Sequence, residues 1–353
     1  MQQNNLKRFL MLALILTFAL PFTSVSAQDP IELEEVDPLS VTGDIAIAGS
    51  STVEPVTVAM AARFNDDGFM GNIAIAETGT SAGFERFCTE GSTDISNASR
   101  AIKSSEVEAC AAIGRDILEF HIGTDAIAIS VKAGSYVDQL KRSQLIAIFT
   151  GEVTTWDQVN PAWPADEIKL YIPGVDSGTF DFFGEAVLGT KGMYSEREDR
   201  FAALLEPAPT TSENDYTLVE GIIGSEGAIG YFGFAYYVEN ADELQAVAIA
   251  NDVKNDDEGN LVVIPEDEWA AAGIDYVAPT SDTAQSGEYM LSRPLFIYSA
   301  KSVFAEKPQV MAFVQYYLAN AEEVVLEVGY FPIDVASMNA TKQIFLDAVA
   351  ELQ

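Results

Sequence analysis

The chain has 353 residues, 48% of them apolar and 21% charged, which suits a large packed core and excludes a disordered polymer. Its 54 acidic residues against 19 basic give a net charge of −35. That charge repels nucleic acid and anionic membrane surfaces, so neither is expected as a partner, and any anion site must work by short-range hydrogen bonds inside a screened cleft.

Residues 1–27 read as a secretory signal peptide. Lys7 and Arg8 supply the positive start, Phe9 to Phe22 the apolar run, and Val25-Ser26-Ala27 the small residues of a cleavage point. An uncleaved anchor is the alternative. No cysteine follows the run, so no lipid attachment is expected, and cleavage takes the net charge to −37. Residues 28–42 are acidic and contain Pro30 and Pro38, which predicts a flexible leader. No later stretch is apolar for long enough to span a bilayer.

From there strand-like and helix-like segments alternate, the signature of an α/β fold with mostly parallel sheets. Ile45 to Ala48 and Ile73 to Ala76 are short strands, and Asp125 to Val131 is a longer one. Val53, Val56, Met60 and Phe64 share one helical face. Gln144 to Trp156 reads as a helix, a glycine turn and a capped loop; Asn251 to Asn260 reads as a polar turn without calcium-loop spacing. Pro308 opens a helix predicted to run to Ala319, with Val310, Phe313, Val314 and Tyr317 inside. Cys88 and Cys110 are an isolated pair. In an exported chain they predict a disulfide, with two buried thiols as the alternative. With His121 the one histidine, a zinc site is not expected, and no cofactor is implied.

Three segments share one design: a strand end, then Gly/Ser/Thr, then an amphipathic helix. They are Gly49-Ser50-Ser51-Thr52, Gly79-Thr80-Ser81-Ala82-Gly83 and Gly174-Val175-Asp176-Ser177-Gly178-Thr179. A helix start leaves N–H groups unpaired and partly positive, glycine admits a close ligand, and hydroxyls add donors without net charge. Together they suit a tetrahedral oxyanion, although each alone reads equally as an ordinary helix cap. None is a P-loop, since no Gly-Lys-Ser/Thr follows. Arg100 ends the segment Asp94 to Arg100; its fork fits two oxyanion oxygens, and a surface ion pair is the alternative.

AGSSTVEPV, TGTSAGFERF, TDISNASRAIK, GVDSGTFDFF and GAIGYFGFAYY together resemble, in order, the periplasmic phosphate-binding proteins of high-affinity ABC importers. The resemblance runs from about Ile45 to near the C-terminus. It implies a two-lobed type II periplasmic-binding fold. Lobe I would be residues 43–123 plus 295–353 and lobe II residues 124–294, with crossings near Gly123-Thr124 and Ser292-Pro294. It also implies a periplasmic monomer that passes phosphate to a membrane permease. Ser51, Thr52, Thr80, Ser177, Gly178 and Thr179 match the family's phosphate ligands. Two positions depart. Arg100 stands where the best-known members have an aspartate that accepts the proton of hydrogen phosphate, and Pro173 stands where they have an arginine. Arg100 is therefore expected to replace that guanidinium, with Asp176 or Asp215 as proton acceptor. Sulfate, molybdate, tungstate or arsenate are alternative ligands. An enzyme, phosphatase-like, is disfavoured: Ser177 sits in D-S-G-T rather than G-x-S-x-G, and only His121 is available as a histidine base.

Overall fold

Runs that alternate isoleucine with alanine form β1 (Ile45–Gly49) and β2 (Ile73–Glu77), which pair in parallel, and β3 (Ile95–Ala98) joins β1 on its other side. The computed structural model describes residues 29–352; the expected signal peptide lies outside the described residues. The sixteen-residue β4 (Ile117–Lys132) follows, then the short β5 (Gln139–Lys141). A second parallel set comprises β6 (Lys169–Pro173), β7 (Thr210–Ser212) and β8 (Ala228–Gly233). Then come β9 (Leu244–Ala246), β10 (Ala248–Ala250), β11 (Val253–Asn255), β12 (Leu261–Val263) and β13 (Ser292–Ala300).

One nine-stranded sheet runs in the order β2-β1-β3-β13-β4-β8-β6-β7, with β9 added to β4. Its two wings are parallel. The long strands β4 and β13 run antiparallel between them, in a register that places Arg293 opposite Asp125 and Leu295 opposite Gly123. The register shifts between Leu295 and Phe296, an irregularity that turns the strand where the chain crosses from one wing to the other.

Each wing has its own core. Ile47, Phe64, Phe120, Phe313 and Tyr317 belong to one, and Ile129, Phe149, Phe183 and Tyr231 to the other. Cys88 and Cys110 form the expected disulfide within the first core. Closing a loop of that length contributes about 3 kcal/mol in the chain-entropy model. Among the described residues no helix is long and apolar enough to cross a membrane.

Three elements differ from expectation. The strand predicted from Asp125 begins at Ile117, because β4 pairs with β13 as far as Ala300; Glu119 and His121 interrupt the apolar pattern there. The helix from Pro308 continues to Glu327 because Ala321, Val324 and Val325 extend its buried stripe beyond Asn320. The leader is tied down rather than free. Asn339 bonds the Asp29 carbonyl and the Ile31 N–H, Gln315 bonds the Glu34 carbonyl, and Leu33 and Val36 pack against the core. Every second or third leader residue is apolar, and that surface is what the helices bury.

Candidate functional site

The three Gly/Ser/Thr loops come together around one cavity of about 470 Å³. Two glycines make the first approach possible. Gly49 has φ +144°, and a β-carbon there would lie 2.1 Å from the Asn97 carbonyl oxygen, so β1 can end against β3 only without a side chain. A β-carbon on Gly83 would lie 2.6 Å from Gly49 Cα, so the first two loops pack backbone on backbone. The Gly49 carbonyl accepts the N–H groups of Thr78 and Gly79, at 3.0 and 2.9 Å, and fixes one loop to the other.

Buried aromatics anchor the helices that follow. Phe84 packs edge-on against Tyr298, at 4.9 Å, behind the second loop. Phe183 stacks on Tyr231 at 3.8 Å, and Phe180 meets Phe201 at 4.6 Å, behind the third. Burying each such ring is worth roughly 1.5–3 kcal/mol, so the loops stand on rigid ground.

Ser51, Thr52, Thr80 and Gly178 line the cavity, as does Arg100. Gly178 brings the second wing against the first: a β-carbon on it would stand 3.5 Å from Ser51 Oγ and from Thr52 N. Ser177 and Thr179 flank Gly178 without lining the wall. The Ser177 hydroxyl accepts the Thr179 N–H at 3.2 Å, so it serves as the helix cap. The Thr80 hydroxyl accepts the Ser99 N–H at 3.2 Å and ties the second loop to the end of β3.

Arg100 does not offer a free fork. Glu106 takes both of its Nη nitrogens, at 2.9 and 2.7 Å, and Ser81 Oγ takes a further bond at 3.1 Å. Among the two readings that the sequence left open, the structure shows the ion pair.

A second arginine lines the cavity. Arg293 reaches it from β13 with its side chain only 11% exposed. Its Nε donates to Asp125 Oδ2 at 3.0 Å, its Nη2 to the Gly178 carbonyl at 3.1 Å, and its guanidinium lies 3.9 Å above the Phe182 ring. Asp125 is buried, and its Oδ1 has no hydrogen-bond partner among the described residues. Burial raises the Asp125 carboxyl above its ordinary range, and Arg293 pulls it back down.

The carboxylates on the wall are Asp181 and Glu185. Asp181 Oδ2 accepts from Arg197 Nε at 3.2 Å, while its Oδ1 is buried without a partner among the described residues. Burial, and then Asp181, hold Glu185 above the usual carboxylate range. The two candidates named from sequence sit elsewhere. Asp176 is exposed and Asp215 is absent from the wall. Burial, then Glu213 and Asp125, push the Asp215 carboxyl up to about 6, with the Gly233 amide opposing.

The family model for the PBP superfamily domain matches residues 37–321. The protein SphX of Synechococcus elongatus is 35% identical over 92% of this chain and 87% of its own. The phosphate-binding protein PstS of Staphylococcus saprophyticus is 32% identical over 82% of this chain and 80% of its own. This chain belongs to the PBP superfamily, in the family of SphX and PstS. A crystal structure described as a possible phosphate-binding protein from Planctomyces limnophilus is 32% identical, with a TM-score of 0.74 over 88% of this chain and 99% of that one. An ABC-type phosphate transport receptor from Vibrio cholerae, 21% identical with a TM-score of 0.58, shares the fold.

Arg293, Asp125, Asp181 and Glu185 are the polar groups that motif reading passed over in this superfamily member. A signal existed for the first two. Asp125 opens an otherwise apolar strand run, and Arg293 precedes the proline of the returning one. Ionised residues at such positions are rarely buried without a partner. Neither position names the other until the β4–β13 register is known. Among the described residues no cluster of three His, Cys, Asp or Glu is placed to hold a metal ion.

Proposed function

We propose that this chain is an exported solute-binding protein that captures inorganic phosphate between its two wings and delivers it to an ABC importer. The observation that carries this reading is the meeting of three Gly/Ser/Thr loops, from both wings, around a single polar cavity. The name of the PstS relative, a phosphate-binding protein, supports the ligand class. Ser51, Thr52, Thr80 and Gly178 face the anion, Ser177 and Thr179 shape the third loop, and Arg100, paired with Glu106, stands at the rim. The chain works outside the cytoplasmic membrane as a monomer.

The lobes 43–123 plus 295–353 and 124–294 then move about the β4–β13 crossing, and phosphate favours the arrangement in which Gly178 meets Ser51. Selectivity follows from the wall carboxylates. Hydrogen phosphate has a proton to donate to Asp181 or Glu185, whereas sulfate at neutral pH has none and meets their oxygens acceptor to acceptor. The test is ligand-dependent stabilisation. Phosphate at about 1,000 times its Kd raises stability by about 4 kcal/mol, read as a rise in melting temperature. No rise with phosphate contradicts the proposal.

A further inference from the structure

We propose that Arg293, rather than Arg100, is the guanidinium that binds the anion, and that Asp125 positions it from the neighbouring crossing strand. The inference deepens the phosphate reading and rests on it. Three observations lead there. The Arg100 fork is already filled by Glu106 in a bidentate pair, so contact with an anion would compete with an existing charge-assisted bond. Arg293 lines the same cavity, and its guanidinium lies 3.9 Å above the Phe182 ring. Its Nε and Nη2 hold Asp125 and Gly178, and neither bond uses Nη1, which leaves that edge of the fork for an oxyanion oxygen.

The setting also explains why a charge pair sits at this depth. A buried ion pair recovers little of its desolvation cost unless its remaining hydrogen-bonding capacity is used. Here Asp125 Oδ1 has no hydrogen-bond partner among the described residues, and the two bonds made by Arg293 leave its Nη1 unused, so the pair keeps spare hydrogen-bonding capacity. An anion at the free edge gives Arg293 a second negative neighbour and uses the donor capacity that the pair leaves over. In a chain of net charge −35, a desolvated guanidinium is also the direct local counter to long-range repulsion of phosphate.

Location adds a consequence. Arg293 lies on β13, bonds Asp125 opposite it on β4, and grips the carbonyl of Gly178 in the third loop. One side chain therefore joins both crossing strands, a loop of the second wing and the anion. Binding at its free edge tightens the same group that holds the wings in register.

The experiment is isothermal titration of the full mature chain with inorganic phosphate, in the wild type and in Arg293→Gln, Arg293→Lys, Arg100→Gln, Asp125→Asn and the double variant Asp125→Asn/Arg293→Gln. Circular dichroism checks folding. Arg293→Gln is expected to weaken binding on the order of 100-fold, the worth of one or two charge-assisted bonds. Arg293→Lys, which keeps the charge and loses the fork, recovers only part of this. Arg100→Gln costs at most about threefold, the worth of a screened rim charge. Asp125→Asn weakens binding alone but adds nothing once Arg293 is gone, the non-additivity expected when Asp125 acts on the anion through Arg293. Wild-type binding with full affinity in Arg293→Gln overturns the assignment and leaves the phosphate reading standing. If the glutamine variant does not fold, Arg293→Lys decides: wild-type affinity in it overturns the assignment. Additive losses at Asp125 and Arg293 overturn the positioning role. A wild type that takes up no phosphate overturns both readings.

Discussion

Replacing Asp215 with asparagine tests whether the carboxylates behind the cleft are as crowded as the structure shows. Burial, Glu213 and Asp125 raise the Asp215 carboxyl from an ordinary 3.8 to about 6. Between those values the folded chain keeps a proton that the unfolded chain has released. The contribution of Asp215 to wild-type stability therefore falls as pH rises through about 4 to 6, and its cost is fully present above 6. The rise corresponds to roughly 3 kcal/mol at 1.36 kcal/mol per pH unit. That figure is a ceiling, since Asp215 keeps some contact with solvent. Asparagine carries no charge at any of these values. Asp215→Asn should match the wild type near pH 4 and exceed it at pH 7, with the gap opening between. Urea unfolding of both proteins at intervals from pH 4 to 7.5 measures it. A gap that does not change with pH, or a variant less stable at pH 7, refutes the reasoning. The same variant should leave the phosphate-to-sulfate preference intact, because Asp215 is not on the cavity wall.

Asp181→Asn should lower that preference by roughly tenfold or more in competition titrations, while the exposed Asp176→Asn leaves it alone. Gly49→Ala forces a methyl to within 2.1 Å of the Asn97 carbonyl oxygen; it should cost about 1–3 kcal/mol in urea unfolding and weaken phosphate binding as well. Reducing the Cys88–Cys110 bond should cost about 3 kcal/mol, seen as a lower urea midpoint with reductant; an unmoved midpoint contradicts this.

Much of the fold was legible because short apolar runs, glycine-serine turns and helical stripes each carry their own period. Val56, Met60 and Phe64 are buried as their spacing implies. The binding loops were legible for the same reason, since strand end, glycine and hydroxyl are local features. Arg293 and Asp125 were not, because their pairing is 168 residues apart in sequence and exists only through the β4–β13 register. Arg100 misled for the complementary reason. Its neighbour Glu106 lies one turn into the next helix, and spacing alone does not say whether the fork turns inward to the cavity or back onto that carboxylate. The leader was misjudged from composition: its prolines and acids suggest a free chain, and only the fold shows the helices that its apolar residues cover.

The measurement that bears most directly on the central claim is isothermal titration of the mature wild-type chain at neutral pH, first with phosphate and then with sulfate. The account predicts one phosphate bound per chain, with sulfate producing no heat and no competition, because the wall carboxylates accept a proton that sulfate does not have. Equal binding of both anions would contradict the selectivity argument, and binding of neither would contradict the assignment of the cleft itself.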